Sequence, residues 1–230
     1  MEVPLNDLRI VCPGITSRQI GLLSDYAALL EKYNRRLNLV SRSDVQNLWR
    51  NHFLPSLLVN NLLPFPTGVE VLDFGTGGGL PGIPLKILRP DLSFVLLDSS
   101  HKKTAFLQLA IRELSLAGVG VVRRRISGEE ETGPLHGRFE VITARAVTDF
   151  RDLFALTKPF LREEGFLLAW KGATDMASLT DEMRVLNKAC RVIPVPEEFW
   201  SCSKKFEQLR YVQVFLHQKA GRADREEMFS

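Results

Sequence analysis

The sequence predicts an α/β fold with a doubly wound, mostly parallel sheet, an antiparallel edge and a helical extension at its N-terminus. From Val69 onward, short apolar runs alternate with amphipathic ones, as in folds where strands and helices alternate. Glycines crowd the connection after the first apolar run, at positions 75, 77, 78, 79 and 82. Before that run, leucines and tyrosines recur every three or four residues, the spacing of one helix face.

The helical extension is predicted over residues 16–63. Thr16 and Gln19 are spaced as the partners of a capping box, which marks a helix start. A second helix is expected over residues 45–54, with Pro55 inside it or just after it bending the path. The segment LPFPTG then breaks the pattern. The chain therefore divides into a helical extension (1–65), a main domain (66–218) and a polar tail (219–230).

The main domain reads as strands separated by helices. Strands are predicted at VEVLDF, SFVLLD, VGVVRR, FEVITA and GFLLAWK, and at residues 190–195 and 210–217. Helices are predicted near residues 84–88, 102–116, 149–161 and 175–189. The last two strands have no long helix between them, which favours the antiparallel edge. In such a fold, ligands bind beyond the carboxyl ends of the strands, and the first strand-to-helix turn is the usual site.

Composition limits the class of protein. The 230 residues are 45% hydrophobic and 25% charged, which is ordinary for a soluble globular chain. No run of eighteen apolar residues and no signal-like N-terminus occurs, so we expect a cytoplasmic protein that does not enter a membrane. Cys12, Cys190 and Cys202 lack the spacing of a disulfide framework or zinc site, and no other metal is expected. The net charge of +3 requires any polyanion to meet a local basic patch.

The glycine turn fits two classes of cofactor. A dinucleotide motif, GxGxxG, fits when it starts at Gly77, but its third glycine usually lies inside the helix, and Pro81 and Pro84 are expected to delay helix onset. The alternative reading, D-x-G-x-G-x-G from Asp73, fits S-adenosylmethionine, whose methionine and ribose carry no pyrophosphate. Asp98 ends the second apolar run, where a carboxylate can accept hydrogen bonds from ribose hydroxyls in either class of site. Its other interpretation is a helix N-cap.

These residues also carry a family resemblance. The blocks DFGTGGGLPGIPL, LLDSSHKK, ITARAV and AWKG, with YNRRLNLVSRSD and RNHF upstream, resemble the glucose-inhibited division protein B family of bacterial methyltransferases over about residues 20–217. The resemblance implies a Rossmann-like class I S-adenosylmethionine-dependent methyltransferase sheet. It also implies methylation of a guanine at ring nitrogen seven in 16S ribosomal RNA. The partner would be that RNA or the small ribosomal subunit.

The resemblance implies a set of site residues. Cofactor contacts are expected at Gly75, Thr76, Gly77, Gly79, Leu80, Asp98, Ile126, Ser127 and Arg145. In this set Asp98 would bind the ribose, Ile126 and Ser127 would flank the adenine, and Arg145 would face cofactor and substrate. This chain departs from the family pattern at Asn51, Pro55 and Ser127.

The implied reaction does not require the protein to remove a proton from the guanine. The methyl group on the sulfonium is already activated, and ring nitrogen seven of guanine has a free lone pair and no proton. Transfer therefore needs alignment more than a general base. We assign the catalytic role to Arg145, with an ion pair to Asp149 as its structural alternative. The motifs used for exocyclic amines and for pyrimidine carbons are absent from the sequence.

RNA contacts are expected from local basic residues. These are Arg35, Arg36, Arg123, Arg124, Arg125 and Lys171. Each arginine pair or run could instead be a solvated face, since alternate strand residues point to opposite sides. His52 is interpreted as a packed or capping histidine and Trp170 as sheet core. We expect a monomer. A dinucleotide-dependent oxidoreductase and a catalytically silent RNA-binding protein remain as alternative functions.

Overall fold

A seven-stranded sheet forms the centre of the described part of the chain. The computed structural model describes residues 2–128, 132–145, 150–172 and 190–216. The strands are β1 (Glu70–Phe74), β2 (Ser93–Asp98), β3 (Val119–Arg123), β4 (Phe139–Arg145), β5 (Leu161–Gly172), β6 (Cys190–Pro194) and β7 (Leu209–Phe215). They lie in the order β3-β2-β1-β4-β5-β7-β6. The pairs among β1 to β5 are parallel, whereas β7 runs antiparallel to β5 and to β6. This confirms the predicted sheet and its antiparallel edge.

The strand order reverses between β1 and β4. From β1 the chain winds outward through β2 to β3, and it then returns to place β4 on the other side of β1. Asp73 of β1 is in register with Thr143 of β4, and Phe74 with Ala144. A crevice opens beyond the carboxyl ends of strands at such a reversal. The glycine turn after β1 and Arg145 at the end of β4 therefore flank the same crevice.

Helices cover the two faces of the sheet unequally. They are α1 (Leu5–Val11), α2 (Ser17–Leu37), α3 (Arg42–Val45), α4 (Leu54–Leu62), α5 (Gly82–Leu88), α6 (His101–Glu113) and α7 (Phe150–Thr157). A π-helical turn, Trp49–Phe53, leads directly into α4. Among the described residues, no helix is long and apolar enough to cross a bilayer.

Alternation along the strands divides the core into two layers. Val71 and Val141 pack in one cluster with residues of α1, α2, α4, α5 and α6, whereas Leu72 and Ile142 pack in the other with residues of α7. The N-terminal helices thus share a core with the sheet. They are also bonded to it, since the Pro55 carbonyl accepts hydrogen bonds from Trp170 Nε1 at 3.1 Å and from the Tyr211 hydroxyl at 2.8 Å. The division of the chain at residue 65 stays a prediction, and the tail lies outside the described residues.

Several helix boundaries test the sequence prediction. The capping box is confirmed, with Thr16 Oγ1 accepting from Gln19 N and the Gln19 side chain accepting from Thr16 N. The second helix starts later than predicted and continues past Pro55, because residues 48–53 are helical, the last five as the π-helical turn, and α4 follows from Leu54 without a break. The helix predicted over residues 149–161 ends at Thr157, because a 3-10 turn and then β5 follow. The helix predicted over residues 175–189 lies outside the described residues.

Candidate active site

Residues 75–81 connect β1 to α5 in a turn that glycine builds easily. Gly75, Gly77 and Gly79 have φ angles of +69°, +59° and +94°, a region that side chains with a Cβ rarely adopt. The backbone N–H groups of Gly79 and Leu80 both donate to the Thr76 carbonyl, at 2.9 and 3.0 Å. Glycine is therefore favoured at these three positions because the backbone of the turn has a positive φ there.

Asp73 anchors the turn from inside the protein. Its side chain is fully buried; Oδ2 accepts hydrogen bonds from the Thr76 hydroxyl at 2.5 Å and from Gly82 N at 3.0 Å, and Oδ1 accepts one from the Thr143 hydroxyl at 2.9 Å. Burial raises the pKa of Asp73, and these hydrogen bonds and the charge of Arg145 act in the opposite direction. Asp73 thus ties together β1, the turn, α5 and β4.

Gly82 packs α5 directly against the sheet. A Cβ at this position would lie 2.6 Å from Leu96 Cδ2 and 2.7 Å from Asp73 Oδ2, so no side chain fits. This corrects the expectation that Pro81 and Pro84 delay helix onset, because α5 begins at Gly82 with Pro81 as its N-cap residue. The third glycine of the dinucleotide motif is therefore the first residue of the helix. A delayed helix start is therefore not an argument against the dinucleotide motif in this turn.

The extension braces the outer side of the turn. The Tyr26 hydroxyl of α2 donates a hydrogen bond to the Gly78 carbonyl, and its ring stacks on Phe53 at 5.4 Å between centroids. A Cβ on Gly78 would lie 3.1 Å from Leu39 Cβ, and one on Gly79 would lie 2.8 Å from the Tyr26 oxygen. Gly78 and Gly79 thus allow α2 and Leu39, which follows it, to approach the turn closely.

Gly77 is different because its Cβ position is open. The nearest atom to a Cβ there is the Leu39 carbonyl oxygen at 3.9 Å. Its backbone N–H donates to Asp98 Oδ2 at 3.0 Å, and Asp98 Oδ1 accepts from Ser100 N at 2.8 Å. Each carboxylate oxygen can accept a further hydrogen bond. The helix N-cap interpretation of Asp98 is wrong, since Ser100 caps α6.

The other predicted cofactor residues surround this opening in different ways. The side chains of Thr76 and Leu80 are buried, and their backbone N–H groups already donate hydrogen bonds, that of Thr76 to the Leu97 carbonyl and that of Leu80 to the Thr76 carbonyl. Ile126 follows β3 and packs against the α7 side of the core, and Ser127 beside it is exposed. The structure therefore gathers Thr76, Leu80 and Asp98 with the glycines, while these assignments to a cofactor stay predictions.

Arg145 ends β4 next to the anchored turn. Burial lowers the pKa of its guanidinium, and the charge of Asp73 raises it. It lies in β4 two residues after Thr143, the Asp73 partner, so both residues point to the face that the N-terminal helices cover. Its alternative partner, Asp149, lies outside the described residues. The functional role predicted for Arg145 stays a prediction.

A second polar cluster lies on this same side of Arg145. His52, in the π-helical turn, places Nε2 at 3.4 Å from Asp44 Oδ2. Burial, together with the cation of Arg145, lowers the pKa of His52 to about 3, while the Asp44 carboxylate acts in the opposite direction. Burial raises the pKa of Asp44, but hydrogen bonds, one of them from Asn51 Nδ2 at 2.7 Å, bring it to about 2. The imidazole is therefore neutral at neutral pH. We call Asp44, His52 and Arg145 the His52 cluster.

Four of the predicted RNA-binding residues lie near the carboxyl ends of the first three strands. Arg35 and Arg36 are exposed in the last turn of α2, and Leu39, just after that helix, packs against the glycine turn at Gly78. Arg123 is exposed and in register with Asp98. Arg124 is partly engaged, because Nη1 donates to the Thr132 carbonyl at 3.2 Å.

The remaining two basic residues are placed more loosely. Arg125 is exposed after β3. Lys171, near the end of β5, holds its ammonium 5.7 Å from the centroid of the Phe150 ring, on the α7 side of the sheet. The six residues therefore do not form one compact patch in the described structure, and their RNA contacts stay predictions.

The sequence did not reveal the residues that hold the glycine turn and the His52 cluster in place. Asp73 was noticed as part of the glycine motif but not as the anchor of four elements. Tyr26 and Phe53 belong to the apolar pattern of the helices, and that pattern gives no sign of the hydroxyl that bonds Gly78. Asp44 and His52 lie eight positions apart, one in α3 and the other in the π-helical turn, so no local sequence spacing indicates that they pair.

The fold is shared with solved methyltransferase structures. An S-adenosylmethionine-dependent methyltransferase from Aquifex aeolicus is similar with a TM-score of 0.58 and 12% identity, covering 77% of this chain and 100% of that chain. The tRNA (m1A58) methyltransferase TrmI from the same organism is similar with a TM-score of 0.53 and 14% identity, covering 72% and 69%. At such identities the likeness establishes the fold, which is the predicted methyltransferase sheet.

Similarity in sequence is more specific. Ribosomal RNA small subunit methyltransferase G of Moorella thermoacetica is 37% identical over 175 residues, which cover 75% of this chain and 73% of that protein. The protein of the same name from Chlorobium limicola is 40% identical over 170 residues, covering 74% and 73%. The GidB family, described as rRNA small subunit methyltransferase G, matches residues 19–209, from α2 to the start of β7. This chain therefore belongs to the GidB family, as its motifs predicted.

Proposed function

We propose that this protein transfers a methyl group from S-adenosylmethionine to ring nitrogen seven of a guanine in 16S ribosomal RNA of the small subunit. The observation that carries the proposal is the open Cβ position of Gly77, whose backbone N–H bonds the Asp98 carboxylate, in a member of the rRNA small subunit methyltransferase G family. The family supports rRNA as the substrate. The turn supports a nucleoside cofactor.

The residues of the turn fit S-adenosylmethionine. Gly77 leaves room for a ligand against its backbone, and Asp98 would accept hydrogen bonds from the ribose hydroxyls. Ile126 and Ser127 would border the adenine. When bound, the cofactor supplies a methyl group activated by its sulfonium. Asp73 and Tyr26 would not touch it, but they fix the turn from below and from the side.

The side chains near the crevice suit a transfer that requires no general base. His52 is a candidate base, but it is buried and its Nε2 faces the Asp44 carboxylate. Arg145 would instead orient the guanine, because its planar guanidinium can donate two hydrogen bonds to a base edge. Its position at the end of β4, beside β1, places it at the strand-order reversal where ligands bind.

The RNA would approach across the carboxyl ends of the strands. Arg35, Arg36 and Arg123 are exposed there and would neutralise phosphates, with Arg125 and Lys171 extending the contact. We expect Arg124 to contribute less, since it already bonds Thr132. We further propose that the protein acts as a cytoplasmic monomer, in the compartment where small subunits are assembled.

Nucleoside analysis tests the proposal directly. 16S rRNA from cells with and without this protein is digested and its 7-methylguanosine measured by mass spectrometry. We expect one methylated site to be lost with the protein and restored when purified protein and S-adenosylmethionine are added to the deficient small subunits. Unchanged methylation in the cells and no transfer to the subunits would contradict the proposal. Calorimetry with NAD and RNA binding without transfer would then identify the two alternative functions.

A further inference from the structure

His52 is a buried polar side chain with unusual surroundings. It is only 8% exposed, and neither ring nitrogen has a hydrogen-bond partner among the described residues. The nearest carboxylate oxygen, Asp44 Oδ2, is 3.4 Å from Nε2, which is longer than a good hydrogen bond. Burying a polar group without satisfying it destabilises a fold. A packing role alone would be filled better by an apolar ring.

The rest of the chain holds His52 in this position. It lies in the π-helical turn, a form of helix that is rare in proteins overall but is often found at functional sites. The Ser203 hydroxyl donates to the Arg50 carbonyl of the same turn at 2.9 Å. The Lys205 ammonium lies 3.2 Å from Asp44 Oδ1. One distant segment, residues 203–205, therefore holds both the turn that carries the imidazole and its acidic neighbour.

The position of Asp44 assigns the tautomer. A carboxylate facing Nε2 favours the proton on that nitrogen, so Nδ1 is left as a hydrogen-bond acceptor. Arg145 is the complementary group, because its register partner in β5, Trp170, donates a hydrogen bond to the carbonyl of Pro55, three residues after His52. A guanidinium has only donors to offer Nδ1. Protonation of His52 would place a second cation beside Arg145 in a buried space. Asp73, Tyr26 and Tyr211 are the other groups whose charges act on Arg145.

We infer that His52 is a positioning residue for methyl transfer: its Nδ1 accepts a hydrogen bond from the Arg145 guanidinium and so orients it toward the target guanine. The inference rests on the proposed function. It explains why a polar ring is kept where the resting structure leaves it unsatisfied, since the bond would form when the substrate draws Arg145 into place. It also gives the Asp44 pair a role, which is to hold the tautomer.

Three substitutions separate positioning from packing. His52→Phe keeps a ring and removes both nitrogens, so we expect the melting temperature at pH 7 to equal or exceed that of the wild type. Turnover on small subunits should fall about tenfold or more, with S-adenosylmethionine affinity unchanged. His52→Asn retains a polar atom near the position of Nδ1 and should keep more turnover than His52→Gln, which retains one near Nε2. His136→Phe, an exposed histidine before β4, is the matched control.

A double-mutant cycle with Arg145→Lys completes the test. If His52 acts through Arg145, adding His52→Phe to Arg145→Lys should change turnover little further. Wild-type turnover by a folded His52→Phe protein, an additive loss in the double variant, or better rescue by Gln than by Asn would each overturn the inference. Failure of the proposed function is distinguishable, because the wild-type protein itself would then transfer no methyl group to the subunits.

Discussion

The glycine turn and the His52 cluster flank the same end of β1 and β4, but they satisfy their polar groups differently. In the turn, Asp73 accepts three hydrogen bonds and the Tyr26 hydroxyl bonds Gly78, so the backbone is fixed before any ligand arrives. In the cluster, His52 is buried with both ring nitrogens unsatisfied among the described residues. One side of the crevice is complete in the resting protein, and the other has unused hydrogen-bonding capacity.

This difference matches the two ligands we propose. A small cofactor is bound best by a preorganised backbone, because less freedom is lost on binding. A base presented by a large RNA must be oriented at the moment of reaction, and groups that form their bonds only then act on turnover more than on binding. We therefore expect substitutions in the turn to change cofactor affinity, and substitutions in the cluster to change rate.

The largest effect is expected from Gly77→Val. The valine side chain would fill the open space at Gly77 that we assign to the cofactor, so the dissociation constant for S-adenosylmethionine should rise about a hundredfold, or ~2.8 kcal/mol. Gly68→Val is the matched control, since Gly68 also has a positive φ, +72°, and no atom within 4 Å of its Cβ position. Both variants should lose a similar free energy of unfolding, roughly 1–2 kcal/mol, from backbone strain. Calorimetric titration of both proteins measures this, and equal affinities would place the cofactor elsewhere.

A smaller effect is expected from Arg145→Lys. A lysine keeps the charge but loses the planar pair of donors, so turnover on small subunits should fall about 10- to 100-fold while cofactor affinity stays near that of the wild type. Arg162→Lys, an exposed arginine at the start of β5 and so at the opposite end of the parallel strands from Arg145, should leave turnover unchanged. Steady-state kinetics with labelled cofactor give both quantities. A loss confined to cofactor affinity would move Arg145 from the substrate side of the site to the cofactor side.

The smallest effect concerns acid stability and the cluster alone. The pKa of His52 lies at about 3 in the folded protein against 6.5 in the unfolded chain, because burial and Arg145 disfavour the charged ring. The unfolded chain therefore binds a proton that the folded protein does not, and acid favours unfolding. Between about pH 6 and the folded pKa of about 3, this histidine should cost about 1.4 kcal/mol of unfolding free energy for each pH unit that the pH falls.

Urea unfolding at pH 7, 6 and 5 measures that dependence. His52→Phe lacks this titrating group, so the part of the pH dependence of the unfolding free energy that is due to His52 should be absent from the variant between pH 6 and 5. The variant should therefore become more stable relative to the wild type as the pH falls. Asp44 does not interfere in this range, since its pKa of about 2 makes it lose charge only in stronger acid. Parallel curves for the two proteins would show that His52 is not held neutral, and the contrast between cluster and turn would lose its electrostatic basis.

Much of the cofactor side could be predicted from sequence because its requirements are local. A glycine is needed wherever φ is positive or a neighbour is close, and Gly75, Gly77 and Gly79 mark such positions within five residues. Asp98 could be placed at a strand end because the strand itself is a plain apolar run. The error at Pro81 came from the same local reasoning. A proline can be the N-cap residue of a helix as well as delay its start.

The substrate side depends on contacts between distant segments, and local patterns do not encode them. The sequence by itself determined the alternating fold, the strand ends and the glycine turn, because backbone conformation and apolar periodicity are properties of neighbouring residues. Only the tertiary structure decided that Asp44 and Lys205, 161 positions apart, meet beside His52. Likewise, Tyr26 reaches Gly78, 52 positions away, because α2 packs on the face of the sheet where Arg145 points. Burial sets the charge of His52 and the role of Asp73, and burial exists only once the chain has folded.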